Sequence, residues 1–373
     1  MVFSCSMTVR AQGEVEITSP SAILMEVSTG TILYEKDADT RRHPASVTKV
    51  MTLLLIFEAL EEGKISMEEE AVTSAHAKSM GGSQVYLEEG ERQTVETLIK
   101  CIVIASGNDA AVTMAEHIAG TEEAFVAQMN ERAAELGMEN THFVDCCGLT
   151  DSMDHYTSAR DIAIMTRQLT VNYPKIFEYS GIWMENITHV TRNGSSEFGL
   201  TNTNKLLRSF EGCTGLKTGS TSLAKLCLSA TATRNGIDLI SVIMAGPDSK
   251  TRFNDAATLL TYGFGICSLY RDDNPPELGE VEIAKGVKGT VSCQYGDTFS
   301  YLSTSNESFQ GIEKQIEWRT DLKAPIESGQ EVGTLSYLLN GKKIGSVPIV
   351  ASESVREAGY VDYLKKAAQG WLL

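Results

Sequence analysis

Between Val50 and Leu60 only Thr52 and Glu58 interrupt an otherwise apolar run. A helix that is apolar on most sides is buried on most sides, so this stretch predicts the central helix of the fold. Pro44 suits its start, where a missing N–H costs nothing, and Gly63 suits its end. The polar exceptions, Ser46 and Lys49, share one face of the first turn. Upstream, apolar runs from Ala22 to Val27 and Thr31 to Glu35 flank Ser28-Thr29-Gly30 and predict a β-hairpin.

Further helices are expected from Thr94, a capping residue, to Ala105, from Asp109 to Ile118 and from Glu122 to Leu136. Another opens on the capping box Ser158-Ala159-Arg160-Asp161 and runs to Leu169. Lys250 to Gly263 is helical in pattern, with Phe253, Ala256, Leu259 and Leu260 on one face. Residues 61–71 read as an acidic loop and Gln84 to Leu87 as a short strand or extended segment. Residues 172–210 are irregular, with short extended pieces. Asn235-Gly236 between the runs Leu226–Thr233 and Ile237–Ala245 is a strong hairpin signal. Gly215-Leu216-Lys217-Thr218-Gly219 then lies on or beside a neighbouring strand.

Asp272-Asp273-Asn274-Pro275-Pro276 reads as a linker. Beyond it, β-like runs at Gly289–Gln294, Gln315–Arg319 and Gly345–Ala351 alternate with turns and predict a small all-β domain. From Val355 the pattern turns helical, with Val361, Leu364, Ala368, Trp371 and Leu372 on one stripe beside Lys365 and Lys366. Such a helix fits a membrane surface or docks on its own domain, and the pattern alone leaves both open. The chain therefore reads as α+β: an arm or remnant of an export signal at 1–14, a domain of helices around an antiparallel sheet at 15–270, a β-rich domain at 277–352 and a terminal helix at 355–373.

Composition narrows the function classes. A chain of 373 residues with 42% hydrophobic and 22% charged residues is soluble and globular, with room for more than one domain. A formal net charge of −17 argues against nucleic acid as a partner. No stretch is long and apolar enough to span a membrane. The eight cysteines show no C-x-x-C spacing, and they permit disulfides without assigning any. H-E-x-x-H and G-x-S-x-G are absent, and no metal or cofactor is implied.

Three polar clusters carry the candidate chemistry. A serine hydroxyl becomes a nucleophile when a neighbouring base takes its proton, and a lysine of lowered pKa can be that base. Ser46 and Lys49 are spaced for this. Ser106-Gly107-Asn108 is a tight turn between two apolar helices, able to aim two polar side chains into a cleft. Lys217-Thr218-Gly219 sits at a strand, where glycine lets another backbone approach closely. Each cluster alone has a bland reading as a cap, a turn or a solvated lysine. The trio S-x-x-K, S-x-N and K-T-G in this order is a known signature of penicillin-binding proteins and β-lactamases.

With these motifs, and with Ser21 to Met25, Gly81 to Gln84, Asn108 to Ala111, Asn140 to Phe143 and His155 to Asp161, the chain resembles the low-molecular-mass penicillin-binding proteins that act as serine-type D-alanyl-D-alanine carboxypeptidases, peptidase family S11. The likeness runs from Ser21 to the C-terminus. It implies a penicillin-binding fold and a peptidoglycan stem peptide ending in D-Ala-D-Ala as substrate, with β-lactams as covalent inhibitors. Ser46 would attack, Lys49 would be the base, Ser106 would relay a proton, and Asn108 would hold Lys49 and the substrate amide. Lys217 and Thr218, with Gly219 beside them, would bind the terminal carboxylate, and Arg252 would be a second contact to it. The N–H groups of Ser46 and Ser220 would form the oxyanion hole. The resemblance also implies work outside the cytoplasm, peripheral to the outer face of the membrane.

Two alternatives stand beside this reading. A β-lactamase-like hydrolase would need a glutamate for deacylation, and no Glu lies between Glu139 and Glu178. A non-catalytic cell-wall binding protein would have lost a motif residue, and none is lost. Departures from the family pattern are Asp145-Cys146-Cys147-Gly148, where Asn and Pro usually precede Gly-Leu, and Leu223-Ala224-Lys225-Leu226 after the third motif.

Overall fold

The computed structural model describes residues 15–364 apart from 193 and 306. The chain divides into two compact units, Met1–Gly265 and Ile266–Leu373. The first is built on a five-stranded sheet: β1 (Ser21–Glu26), β2 (Ile32–Lys36), β3 (Cys213–Thr221), β4 (Lys225–Arg234) and β5 (Ile237–Gly246). All pairs are antiparallel, and the strand order is β2-β1-β5-β4-β3. Asn235, at φ 52, and Gly236, at φ 75, make the β4–β5 turn, the left-handed pair that a two-residue hairpin needs.

Every residue of β1 is buried, because both faces of the sheet are covered. Ile23, Met25, Ile240, Val242 and Met244 face a body of helices. On the other face, Gly263 packs so closely that a Cβ there would stand 2.7 Å from Leu239 and 2.9 Å from Leu24. Side-chain alternation along the strands produces both interfaces from one sequence.

The helical body comprises α1 (Lys49–Glu61), α2 (Val95–Val103), α3 (Asn108–Ala119), α4 (Glu122–Glu135) and α5 (Ala159–Asn172), while α6 (Ser249–Ile266) supplies the opposite layer. Ten of the thirteen residues of α1 are buried, as its largely apolar run requires. Removing one such side chain, as in Leu54→Ala, would cost about 2–5 kcal/mol. Thr94, Thr121 and Ser158 cap their helices by accepting the N–H of Thr97, Ala124 and Asp161. The Asp161 carboxylate accepts instead from Asn140 N at 2.9 Å and Thr141 Oγ1 at 2.7 Å, so the expected capping box closes from one side only among these bonds.

Several local expectations are corrected. Gln84 to Leu87 forms no strand, because the N–H groups of Val85 and Leu87 donate to the Asp109 carboxylate rather than to a ladder. The acidic loop holds a short strand, Glu70–Val72, paired with Arg92–Thr94. The irregular stretch contains a helix, Ile176–Ser180, and a hairpin of Met184–Thr191 with Gly194–Thr201. Burial alternates along its first strand, but the inward positions hold Glu185, Ile187, His189 and Thr191 while Met184 and Val190 are exposed, so no apolar alternation marks it in the sequence.

The second unit carries a four-stranded antiparallel sheet in the order Cys293–Tyr295, Lys342–Ala351, Glu331–Leu339, Glu313–Trp318. It has its own core, with Val332, Leu335, Val347 and Ile349 among its buried residues. Phe299 and Tyr337 stack at 3.7 Å between ring centroids. The acidic segment read as a linker contributes an anchor to this unit: Asp272 accepts from Lys314 Nζ at 2.5 Å and from Tyr337 Oη at 2.7 Å. Val355 is also part of it. It is buried and bridges to Ile326, so the terminal helix starts at residue 360, and the positions of its stripe beyond 364 lie outside the described residues.

Candidate active site

The chain enters α1 through one turn of 3-10 helix, Ala45–Thr48. This turn lies against β3: a Cβ on Gly219 would stand 2.7 Å from Pro44 O and 3.0 Å from Ser46 N. Only glycine permits this approach. The first N–H groups of a helical turn have no partner within it, which leaves the Ser46 N–H beside the strand for another acceptor.

Lys49 is fully buried. Its ammonium donates to Ser46 Oγ at 3.1 Å, to Asn108 Oδ1 at 2.5 Å and to the Cys147 carbonyl at 2.8 Å, which uses all three of its protons. Burial pushes its pKa below the ordinary lysine value. Asn108 is held in turn, because its Nδ2 donates to Gly81 O at 2.7 Å and its backbone N to Ser83 O at 2.8 Å. The bond from Nδ2 to Gly81 fixes which amide atom faces the lysine.

Ser106 occupies the turn between α2 and α3 with φ 63, left-handed backbone that costs a serine about 1–2 kcal/mol. Its Oγ is buried and has no partner among the described residues.

Lys217 is also buried, on edge strand β3. Its Nζ donates to Thr218 O at 3.0 Å. Burial drives its pKa well down, helped by the charges of Lys49 and Arg252. Such repulsion is mutual, so each charge disfavours the other. Thr218 Oγ1 pairs with Thr203 Oγ1 at 2.6 Å, while Ser220, the next outward position, is exposed. Arg252 lies behind the strand end. Its NH1 bridges the Gly219 and Cys227 carbonyls at 3.2 Å each, and its guanidinium sits 4.5 Å over the Phe253 ring.

The three clusters, far apart in sequence, thus meet around Lys49 and the Ser46 turn. Sequence reasoning passed over three supports. Asp109 ties down residues 85–87. The Cys147 carbonyl is the third acceptor of Lys49, and no side-chain pattern reveals a carbonyl. Asp145 accepts the N–H groups of Cys147, Gly148, Leu149 and Thr150, which organises the loop that delivers that carbonyl. Cys146 and Cys147 are both free and buried. Among the described residues no group of His, Cys, Asp and Glu is arranged to hold a metal.

Residues 7–248 match the family described as D-alanyl-D-alanine carboxypeptidase, and residues 267–357 match the C-terminal domain of penicillin-binding protein 5. The chain is 39% identical over 354 residues to D-alanyl-D-alanine carboxypeptidase DacF of Bacillus subtilis, covering 94% of this chain and 89% of that one. It is 32% identical over 376 residues to DacA of Escherichia coli K12, covering 96% and 90%. Among solved structures, penicillin binding protein 5 of Haemophilus influenzae superposes with a TM-score of 0.70 at 30% identity, covering 93% of this chain and 100% of that one.

Proposed function

The chain belongs to the D-alanyl-D-alanine carboxypeptidases of peptidase family S11, and from its site we propose how it removes the terminal D-alanine of a peptidoglycan stem peptide. The observation that carries the reading is the buried Lys49 amine, in hydrogen-bond contact with Ser46 Oγ and with its pKa lowered.

As a free amine, Lys49 takes the Ser46 proton while Oγ attacks the carbonyl of the penultimate D-alanine. The N–H groups of Ser46 and Ser220 stabilise the oxyanion. Ser106, whose hydroxyl has no competing partner among the described residues, passes a proton to the leaving D-alanine. Asn108 keeps the amine aimed and contacts the substrate amide. Lys217 and Thr218 receive the terminal carboxylate. Arg252, with NH1 committed to backbone carbonyls, adds positive charge behind it and holds the strand straight at Gly219. The substrate adds to edge strand β3 as an antiparallel strand, a mode in which backbone hydrogen bonds supply affinity. Water then releases the acyl group along the reverse proton path. A β-lactam follows the first half of this course and remains on Ser46.

The family is one of cell-wall enzymes, consistent with an extracytoplasmic location. The finer placement rests on the helical turn at 360–364, where Val361 and Leu364 are more than half exposed. No described helix is long and apolar enough to cross a membrane. We read the terminal helix as lying on the outer membrane surface, and the two units as a catalytic domain and its stalk.

Intact-mass spectrometry tests the core of this reading. Penicillin should add one acyl group to the wild-type chain and none to Ser46→Ala, and a D-Ala-D-Ala peptide should lose one alanine with the former alone. Labelling of Ser46→Ala would remove Ser46 from its role.

A further inference from the structure

A cavity of about 440 Å³ opens beyond the end of β3. Arg41, Arg42 and His43 form one wall, and Met153, Leu223 and Ala224 line the other. Residues 41–43 lie just before the Ser46 turn in sequence, and Leu223 and Ala224 lie in the turn that follows β3.

Neither of its arginines forms an ion pair among the described residues. Arg41 meets only neutral oxygens: Asn140 Oδ1 at 3.2 Å, Tyr156 Oη at 3.4 Å and the Glu139 carbonyl at 3.4 Å. Its guanidinium also lies 4.7 Å over the Tyr156 ring, which fixes its plane. Arg42 Nε and His43 Nδ1 are buried without a hydrogen-bond partner among the described residues. Two neighbouring guanidinium groups with no carboxylate beside them among the described residues can take an anion from outside. The wider wall of Met153 and Leu223, both exposed, suits the aliphatic stem of such a ligand.

Strand geometry says which part of a substrate arrives here. With the terminal carboxylate at Lys217 and Thr218 and the reacting carbonyl beside Gly219 and Ser220, an antiparallel peptide continues past Thr221. From Gly219 to Thr221, the end of β3, is about 7 Å at about 3.3 Å per residue, and Leu223 and Ala224 lie in the turn just beyond it. The residues one and two places before the acyl D-alanine therefore pass the mouth of the cavity.

We propose that the Arg41–Arg42–His43 cavity is a specificity subsite that takes a free carboxylate on the acyl side of the donor peptide, one or two residues before the D-alanine that acylates Ser46. The proposal rests on the carboxypeptidase reading and extends it from the leaving-group side to the acyl side. Arg42 and Arg41 supply charge-assisted hydrogen bonds to that carboxylate. They do not touch the scissile bond.

The test uses the full chain and three synthetic peptides ending in D-Ala-D-Ala. One carries free carboxylates at both upstream positions, and each of the others has one of them amidated. The wild-type protein should prefer the free acid by about tenfold or more in kcat/KM over one of the amides, which also identifies the position recognised. Arg41→Gln and Arg42→Gln should each reduce that preference to about threefold or less. Leu223→Glu, a change at an exposed rim position, should do the same by repulsion. Penicillin labelling of Ser46 in each variant verifies that it is folded and that its acylation chemistry is intact. Equal rates on acid and both amides in the wild type would overturn the subsite, as would variants that lose all three peptides in proportion. Failure of the wild type to release D-alanine from any peptide would instead strike the carboxypeptidase reading.

Discussion

Gly148 presses on Ala45: a Cβ on Gly148 would stand 1.9 Å from the Ala45 carbonyl oxygen and 2.7 Å from Thr48 Oγ1. The loop carrying Cys147 and the turn carrying Ser46 are therefore in backbone contact. Gly148 also has φ 76, which a side chain resists. Gly148→Ala adds a clash to left-handed strain, and the sum should lower stability by roughly 2–5 kcal/mol. Denaturant unfolding reads the loss. A variant as stable as wild type would show that the loop and turn separate easily.

Lys49→Ala should leave a folded protein whose acylation by penicillin falls by about 10²–10⁴-fold, the usual contribution of a general base. Stopped-flow acylation measures this. A loss below tenfold would pass the base role to another group.

The pH profile tests the lysine pair. Lys49 accepts a proton only as the free amine, and its pKa is lowered by burial. Acylation should rise with pH through that lowered pKa and level off above it. Lys217→Met removes a neighbouring positive charge, which raises the pKa of Lys49, so the rising limb should move to higher pH. A limb that stays in place would separate the two lysines electrically.

In the second unit, burial raises the pKa of Asp272, but hydrogen bonds from Lys314 and Tyr337 outweigh it and hold the carboxyl below its usual range. A folded pKa below the unfolded one adds stability above the unfolded value, and this is lost as pH falls through the folded value. The unit should thus weaken in acid below the ordinary aspartate range. Asp272→Asn should cost about 1–3 kcal/mol at neutral pH and flatten that dependence. Thermal melts across pH report both effects.

Removal of residues 360–373 should free the protein from anionic vesicles while D-alanine release from a soluble peptide continues. Val355 stays in the shortened chain because it belongs to the β-rich unit. Unchanged partitioning would reject the anchor.

Much of this organisation was legible in the residues. The apolar run after Lys49 and the Asn235-Gly236 turn have strong local signatures, and they predicted α1 and the β4–β5 hairpin; the three motifs, each weak alone, pointed to one cluster only when taken together and in order. Features set by distant contacts were not legible. Val85 and Leu87 leave the strand pattern because Asp109 takes their N–H groups. The hairpin at 184–201 turns Glu185 and His189 inward and Met184 and Val190 outward, so its polarity does not follow its burial. Asp272 looked like linker because its lysine partner lies forty-two positions on. Arg41 and Arg42 belong to no motif, and only the fold brings them beside the turn after β3.

The sheet ends on the strand that carries Lys217, and an unpaired strand can template aggregation as readily as it recruits a ligand. Here the Pro44–Ser46 backbone packs on one face of that border strand at Gly219. A chain that settles there meets a reactive hydroxyl instead of a smooth ladder, so the same border that admits substrate is ill suited to stacking copies of the protein. Selection for turnover and selection for solubility thus act on one stretch of backbone.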